Sequence, residues 1–338
     1  NSKKIKFKNC IIATGSRSAN LPKIEPNGKN ILSSKDALNF ESIPNKLLII
    51  GGGYIGLEMA TFYNAVGSDI EIAEFQSKIL SEMDKDLVDV LIKKLGKKVN
   101  FMTNTKVNSV IDNQNSCNVA FESEGRTIQK KYDKVLLCVG RQPNTDKINI
   151  ESTGIETDKY GFINVNNQCR TLVPNIFAIG DVTGNPMLAH RATHQGKIAA
   201  EVICGQKSIF EPESIPYVIF TDPEIAWSGP SEIQLKNQGI EFESKIFPWQ
   251  ANGRALSMDA PQGKTKILFC KKSKKILSIG IVGHSAGDLI GEATLAIEMN
   301  AFADDIALTI HPHPTLSETI ANASEMIEGT ITDLYVPK

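Results

Sequence analysis

Two histidines stand two residues apart in the segment Thr309–Ile320, TIHPHPTLSETI, and each precedes a proline. An imidazole titrates near pH ~6.5, so it can take a proton from a bound group near neutral pH and return it. Glu318 lies five residues beyond His313. A carboxylate so placed can hold and polarise an imidazole. The following prolines push both histidines toward extended geometry, and side chains two apart on an extended segment share a face. Spacing alone therefore does not choose between His311 and His313. Glu318 also has a second reading. TLSE fits a capping box, with Thr315 as N-cap and Glu318 as the third residue of the last helix. The remaining histidines, His190, His194 and His284, stand in contexts that suggest surface or packing roles.

A different chemistry is signalled by GGGYIG, which sets Gly51, Gly53 and Gly56 in GxGxxG spacing. An apolar strand (46–50) enters, a helix starts near Tyr54, and a second strand (70–73) runs into Glu74, 18 residues past Gly56. In such a unit Gly51 permits the tight turn, Gly53 lets backbone approach a pyrophosphate, and Gly56 lets helix and strand pack closely. The helix N-terminus then faces the anion. Glu74 accepts hydrogen bonds from a ribose 2′-OH and repels a 2′-phosphate, which favours NAD over NADP. A third signal is Asp181, at the end of the buried strand NIFAIGD. It is either a turn residue or a ligand for a polyhydroxylated group.

The elements that carry these residues alternate strand and helix up to a helix near 190–204, then change to an α+β texture from SIPYVIF onward. The opening KKIKFK alternates apolar and basic residues and predicts a half-buried strand, and CIIATGS predicts a buried one. The chain has 338 residues, 41% hydrophobic and 22% charged, with net charge -1. Nothing in that balance points to a polyanion partner, so no nucleic acid is expected. No run of 18 apolar residues exists, so no membrane span is expected. Six cysteines, Cys10, Cys117, Cys138, Cys169, Cys204 and Cys270, form neither CxxC nor CxxxxC. Most read as small buried hydrophobes in a reducing, cytoplasmic compartment.

GGGYIGLE, CVGRQPN, NIFAIGD, MLAH and IHPHPTLSE occur in the order and spacing of the FAD-dependent pyridine-nucleotide disulfide oxidoreductases. The chain resembles this family over essentially its whole length. TDPEIAWSG, FPWQANGRAL and AIEMNAFADDIALTIHPHPTLSE resemble its bacterial E3-type branch. Members of that branch oxidise dihydrolipoyl groups on the lipoyl domain of the E2 component of 2-oxo-acid dehydrogenase complexes. Electrons pass through a redox disulfide and FAD to NAD+.

The resemblance implies an α/β fold with Rossmann-like FAD- and NAD-binding domains and a C-terminal α+β dimerisation domain. It divides the chain into the end of a first FAD-binding segment (1–40), an NAD-binding domain (41–145), a second FAD-binding, central segment (146–213) and an interface domain (214–338). Asp181 would bind the ribitol of FAD, with Gly15 and the backbone of Ala189 close to the flavin. Glu58 would pair with a lysine that follows the redox cysteines. The NAD side would be lined by Gly51, Gly52, Gly53, Tyr54, Ile55, Gly56, Glu74, Gly140 and Arg141, with Val107 near the adenine. Tyr54 occupies a position where glutathione-type reductases carry a tyrosine over the flavin, whereas many E3-type chains are aliphatic there. Between the two histidines the resemblance chooses His313, with a cis bond to Pro314, as general acid/base, held by Glu318; His311 is structural. The histidine loop would act across a two-fold homodimer.

In the family, the CxxxxC disulfide and the first FAD glycine motif precede the ATGS strand, and residues 1–338 hold neither. A fragment is the expectation, inactive with dihydrolipoamide on its own and failing to hold FAD tightly. Two other outcomes are a related reductase of another disulfide or metal substrate, and a non-catalytic NAD-binding and dimerisation module.

Overall fold

The computed structural model describes residues 4–39 and 42–335. They divide into two compact units, each made from two stretches of chain: 1–19 with 140–212, and 20–139 with 213–338.

In the first unit, strand Cys10–Ile12 pairs in parallel with Ile176–Ala178, and Ser16–Ser18 pairs antiparallel with Arg141–Pro143. The helix Ala189–Ile203 packs Ile198, Ala199 and Val202 against Cys169 and Phe177. Two expectations fail here. Lys3 lies outside the described residues, and Lys4–Asn9 form no strand; Ile5 is 82% and Phe7 51% exposed. CIIATGS does supply a strand, but only over Cys10–Ile12, and Ile11 stands exposed. Alternation makes a strand possible; a neighbouring ladder has to make it real.

The second unit holds a five-stranded parallel sheet in the order Ile31–Ser33, Lys134–Leu137, Lys46–Ile50, Asp69–Ala73, Val99–Met102. KLLII is buried on both faces apart from Lys46, as an interior parallel strand requires. Strand Ile31–Ser33, which falls within 1–40, belongs to this sheet rather than to the unit of Cys10–Ile12. Phe40 and Glu41, where that segment was expected to end, lie outside the described residues. A three-stranded antiparallel sheet follows, Thr105–Asp112, Cys117–Ser123 and Arg126–Tyr132.

A five-stranded antiparallel sheet then runs in the order Tyr217–Ile219, Glu224–Ser228, Ile276–Gly283, Lys264–Cys270, Phe242–Pro248. Helix Lys85–Leu95 turns Leu87, Val88, Leu91 and Leu95 inward, one apolar stripe at helical spacing. It shares a core with Ile49 and Ile72 of the parallel sheet and Ile225 and Val282 of the antiparallel one. At Gly280 an added Cβ would come within 2.5 Å of Leu87 Cδ1, so the helix lies directly on the strand. Behind the antiparallel sheet, Ala286–Glu298 and Glu318–Glu328 close a second core around Trp249, Phe247, Ile281 and Ile320.

The cysteines are all free thiols, but only Cys117 and Cys169 are fully buried and Cys204 is exposed, so the reading of most as buried hydrophobes is too strong. Burial does push the thiols of Cys117 and Cys169 up to about 11 and Cys138 up to about 12. Those three are therefore protonated and inert near neutrality. No helix among the described residues is long and apolar enough to cross a membrane.

Candidate active site

Glu318 opens the last helix, and its two carboxylate oxygens have different duties. Oε1 lies 2.8 Å from His313 Nδ1, and Oε2 accepts the Thr315 backbone N–H at 2.7 Å. An ionised carboxylate only accepts, so His313 Nδ1 carries the proton and Nε2 of the neutral ring is left as the free base. The His313 side chain is 76% exposed. The His313–Pro314 bond is cis.

The expected capping box is only half present. Ser317, not Thr315, is the N-cap, and Thr315 Oγ1 donates to the Pro312 carbonyl instead of capping the helix. Both readings of Glu318 are thus partly met by one side chain.

His311 is built differently. Its side chain is only 8% exposed, with Nδ1 at 2.8 Å from the Thr309 carbonyl and Nε2 at 2.7 Å from Glu292 Oε1. Burial opposes the charged ring, but the Glu292 carboxylate and the Thr309 carbonyl outweigh it and raise the His311 pKa above the ordinary value. With an acceptor on each nitrogen, His311 is a donor to structure and has no free base.

The glycine turn is shaped as its spacing predicts. Gly51 has φ +108°, and a Cβ there would strike the Cys138 carbonyl; at Gly56 it would strike the Gly51 carbonyl. Around Gly53 there is open space, and Gly53 is the N-cap of helix Tyr54–Ala65. Glu74 reaches back to this turn: Oε2 accepts the Gly52 N–H and Oε1 the Gln76 N–H, both at 2.7 Å. The Thr105 N–H donates to the Glu74 carbonyl at the start of strand Thr105–Asp112, which carries Val107. An open helix N-terminus above a bare glycine, with a carboxylate at the next strand end, fits a dinucleotide. Tyr54 and Ile55 are the first residues of that helix. Glu58, one turn on, accepts the Phe220 N–H at 2.9 Å; burial raises its pKa and that hydrogen bond partly offsets the rise.

In the other unit, Asp181 lies in a short 3-10 turn, Gly180–Thr183, and accepts the Ser16 hydroxyl. Arg141 Nε donates to Ser16 Oγ at 2.7 Å and stands 3.9 Å from Asp181 Oδ2. Arg141, read as lining the NAD side, makes its hydrogen bonds to Ser16, whose hydroxyl donates to Asp181, a residue read as flavin-binding. Gly15 and Gly140 both have positive φ, with nothing within 4 Å of an added Cβ. Ala189 begins helix Ala189–Ile203 with no side-chain cap. The turn before it is tied by Arg191, which sequence reasoning passed over. Its guanidinium donates to the Gly184 carbonyl at 2.8 Å and to Thr183 Oγ1 at 3.0 Å. A carboxylate, an uncapped helix start and bare glycines fit the flavin-ribityl end of FAD.

A two-unit α/β chain with a dinucleotide turn and a carboxylate-held histidine defines a class, and comparison with known proteins gives it a family. Residues 1–196 match the pyridine nucleotide-disulphide oxidoreductase family and residues 215–324 its dimerisation domain. The chain belongs to this family. It is 47% identical over 330 residues to a dihydrolipoyl dehydrogenase of Haemophilus influenzae, covering 98% of this chain and 69% of that protein. The dihydrolipoyl dehydrogenase of Geobacillus stearothermophilus is 44% identical, covering 96% and 69%. Among solved structures, LpdA from Mycobacterium tuberculosis superposes with TM-score 0.86 at 26% identity, covering 94% of this chain and 69% of that one. The flavoprotein disulfide reductase RclA from Escherichia coli superposes with TM-score 0.86 at 26% identity, covering 94% and 73%.

Proposed function

We propose that this chain supplies the acid/base pair and cofactor-binding residues of a dihydrolipoyl dehydrogenase, whose reaction converts a dihydrolipoyl dithiol and NAD+ to the cyclic disulfide, NADH and a proton. Residues 1–338 hold no CxxxxC disulfide, so turnover is expected only in the holoenzyme that carries one. The observation that carries the reading is the His313–Glu318 pair, an exposed imidazole whose Nδ1 is held at 2.8 Å by a carboxylate. Its free Nε2 takes a thiol proton, and Glu318 stabilises the imidazolium that results. Relatives of that name, 44% to 47% identical over nearly the whole chain, support the same activity.

The cofactors are FAD and NAD. Asp181, Gly15, Ala189 and Glu58 are assigned to the FAD side, joined by Arg141 through Ser16. Gly51–Gly56, Glu74, Val107 and Gly140 are assigned to the NAD side. FAD, when bound, supplies the electron chemistry; these residues orient the two cofactors and set which one is accepted. Domain limits follow the compact units: 1–19 with 140–212 for FAD, 20–139 for NAD, and 213–338 for a homodimer interface. This moves 20–40 out of the expected FAD segment 1–40 and 140–145 out of the expected NAD domain 41–145. The partner is the lipoyl domain of the E2 component of a 2-oxo-acid dehydrogenase complex. A cytoplasmic setting agrees with cysteines left as free thiols.

The test is dihydrolipoamide-dependent NADH formation by the FAD-loaded enzyme. His313→Gln lowers kcat by ~10²-fold or more, and His311→Gln by much less. Small, similar losses in both would remove the dyad.

A further inference from the structure

The dyad sits on a short loop whose backbone is held by hydrogen bonds from buried side chains outside it. Asn252 is 3% exposed and caps the short helix Gly253–Ser257, its Oδ1 accepting the Ala255 N–H at 2.9 Å. The amide orientation is thereby fixed, because the oxygen must face that donor. Its Nδ2 then donates to the Thr315 carbonyl at 3.0 Å. The N–H of the same Thr315 holds Glu318 Oε2, and Glu318 Oε1 holds His313.

A second anchor comes from the antiparallel sheet. The Trp249 indole N–H donates to Thr265 Oγ1 at 3.0 Å, Thr265 donates to Thr319 Oγ1 at 2.8 Å, and Thr319 donates to the Leu316 carbonyl at 2.7 Å. All three side chains are fully buried. Thr315 and Leu316 are the residues just before Ser317 and Glu318, so the two anchors grip consecutive carbonyls of the loop that aims the carboxylate.

We infer that Asn252 and Thr319 are positioning residues for the acid/base step, acting on His313 only through the loop and Glu318. This rests on the dyad reading above. Neither side chain reaches the imidazole. Removing the Asn252 amide takes away the buried donor of the Thr315 carbonyl. Removing the Thr319 hydroxyl leaves the Leu316 carbonyl only the Thr319 N–H at 3.1 Å and breaks the link from that loop to Thr265 and Trp249. A misplacement of about 1 Å costs on the order of 10²-fold in rate.

The experiment uses the reconstituted, FAD-loaded holoenzyme, with its redox disulfide, carrying Asn252→Ser, Thr319→Val, Glu318→Gln or His313→Gln. Serine keeps the helix cap but cannot reach Thr315. Two assays are run: dihydrolipoamide oxidation by NAD+, and reduction of a dye by NADH, which needs no thiol proton. The expected result is a kcat roughly 10- to 100-fold lower for Asn252→Ser and Thr319→Val. KM for NAD+ and the dye reaction stay within about twofold. In a Glu318→Gln background each adds less than about twofold, since the residue through which they act is already gone. Unchanged kcat, or losses that multiply in full with Glu318→Gln, overturn the inference. If His313→Gln keeps full activity, the dyad reading falls instead. Should Asn252→Ser lose the dye reaction through misfolding, Thr319→Val alone decides.

Discussion

Among the described residues of the second unit Lys266 is the most deeply buried charge, and its removal tests how that unit holds together. Its side chain is 3% exposed, with Nζ at 3.0 Å from Asp84, 2.8 Å from Asp86 and 2.6 Å from Glu232. The carboxylates come from the start of helix Lys85–Leu95 and from helix Glu232–Asn237, so one ammonium fastens both to strand Lys264–Cys270. Burial opposes the charged lysine, but the hydrogen bonds to Asp86, Glu232 and Asp84 outweigh it and raise its pKa. Burial likewise raises the Glu232 carboxyl, and hydrogen bonds from Lys266 and Lys236 more than reverse this and lower it.

Stability from the depressed carboxyl is present above its unfolded pKa of about 4.3 and is lost as pH falls through the folded value. Stability from the raised lysine is present below about pH 10.4 and is lost as pH rises through its folded value. The cluster is therefore at full strength from about pH 5 to 9. Breaking a buried ion pair by removing one partner costs about 3–5 kcal/mol. The lower end applies here, because Asp86 and Glu232 are each 29% exposed and Lys236 still stands 3.1 Å from Glu232. Lys266→Met should lose about 3 kcal/mol at pH 7. Near pH 4 the orphaned carboxyls of the variant take up protons and the loss shrinks to about 1 kcal/mol. Urea unfolding followed by tryptophan fluorescence reads this unit, since both tryptophans, Trp227 and Trp249, lie in it. A loss under about 1 kcal/mol at pH 7, or the same loss at pH 4 and 7, would refute the account.

Gly51→Ala and Gly53→Ala should separate folding from binding. The first meets a positive φ and the Cys138 carbonyl and should lower Tm by several degrees, while the second meets open space and should leave Tm alone but weaken NADH binding roughly tenfold; equal Tm values would contradict this. NAD+ should exceed NADP+ in kcat/KM by roughly 30-fold or more, the equivalent of about 2 kcal/mol from charge repulsion at Glu74. Glu74→Gln should narrow that gap, and steady-state kinetics with both cofactors will show whether it does.

What could be read from the sequence was what local spacing controls. Gly51, Gly53 and Gly56 announce themselves because a tight turn, an open approach and a close packing each demand a missing side chain, and the strand and helix around them have the right periods. His313 and Glu318 are five residues apart, so their pairing is a local matter too. The anchors of that pair were not legible. Asn252 meets Thr315 across 63 residues of chain, and Lys266 meets Asp86 across 180. Nothing in FPWQANGRAL or TKILFC marks either side chain as a donor to a distant loop or carboxylate. Arg191 was hidden for another reason: an arginine early in a helix reads as solvated, and only the folded turn at 180–186 supplies the carbonyls that bury it. KKIKFK failed in the opposite direction, since its pattern was right but no ladder receives it.

The chain enters each unit, leaves it and returns. Strand Cys10–Ile12 finds its parallel partner only at Ile176–Ala178, with most of the nucleotide sheet made in between. A ribosome adds about 5–20 residues per second, so some 160 intervening residues keep that strand waiting on the order of 10–30 seconds. During that interval it lacks this partner, while Lys46–Ile50 and Asp69–Ala73 can already pair as neighbours. The parallel sheet is thus the part able to form early in synthesis. The pairing of Cys10–Ile12 with Ile176–Ala178 is obliged to come late, and until then the strand edge that will face Ile176–Ala178 is open to chaperones or to other nascent chains.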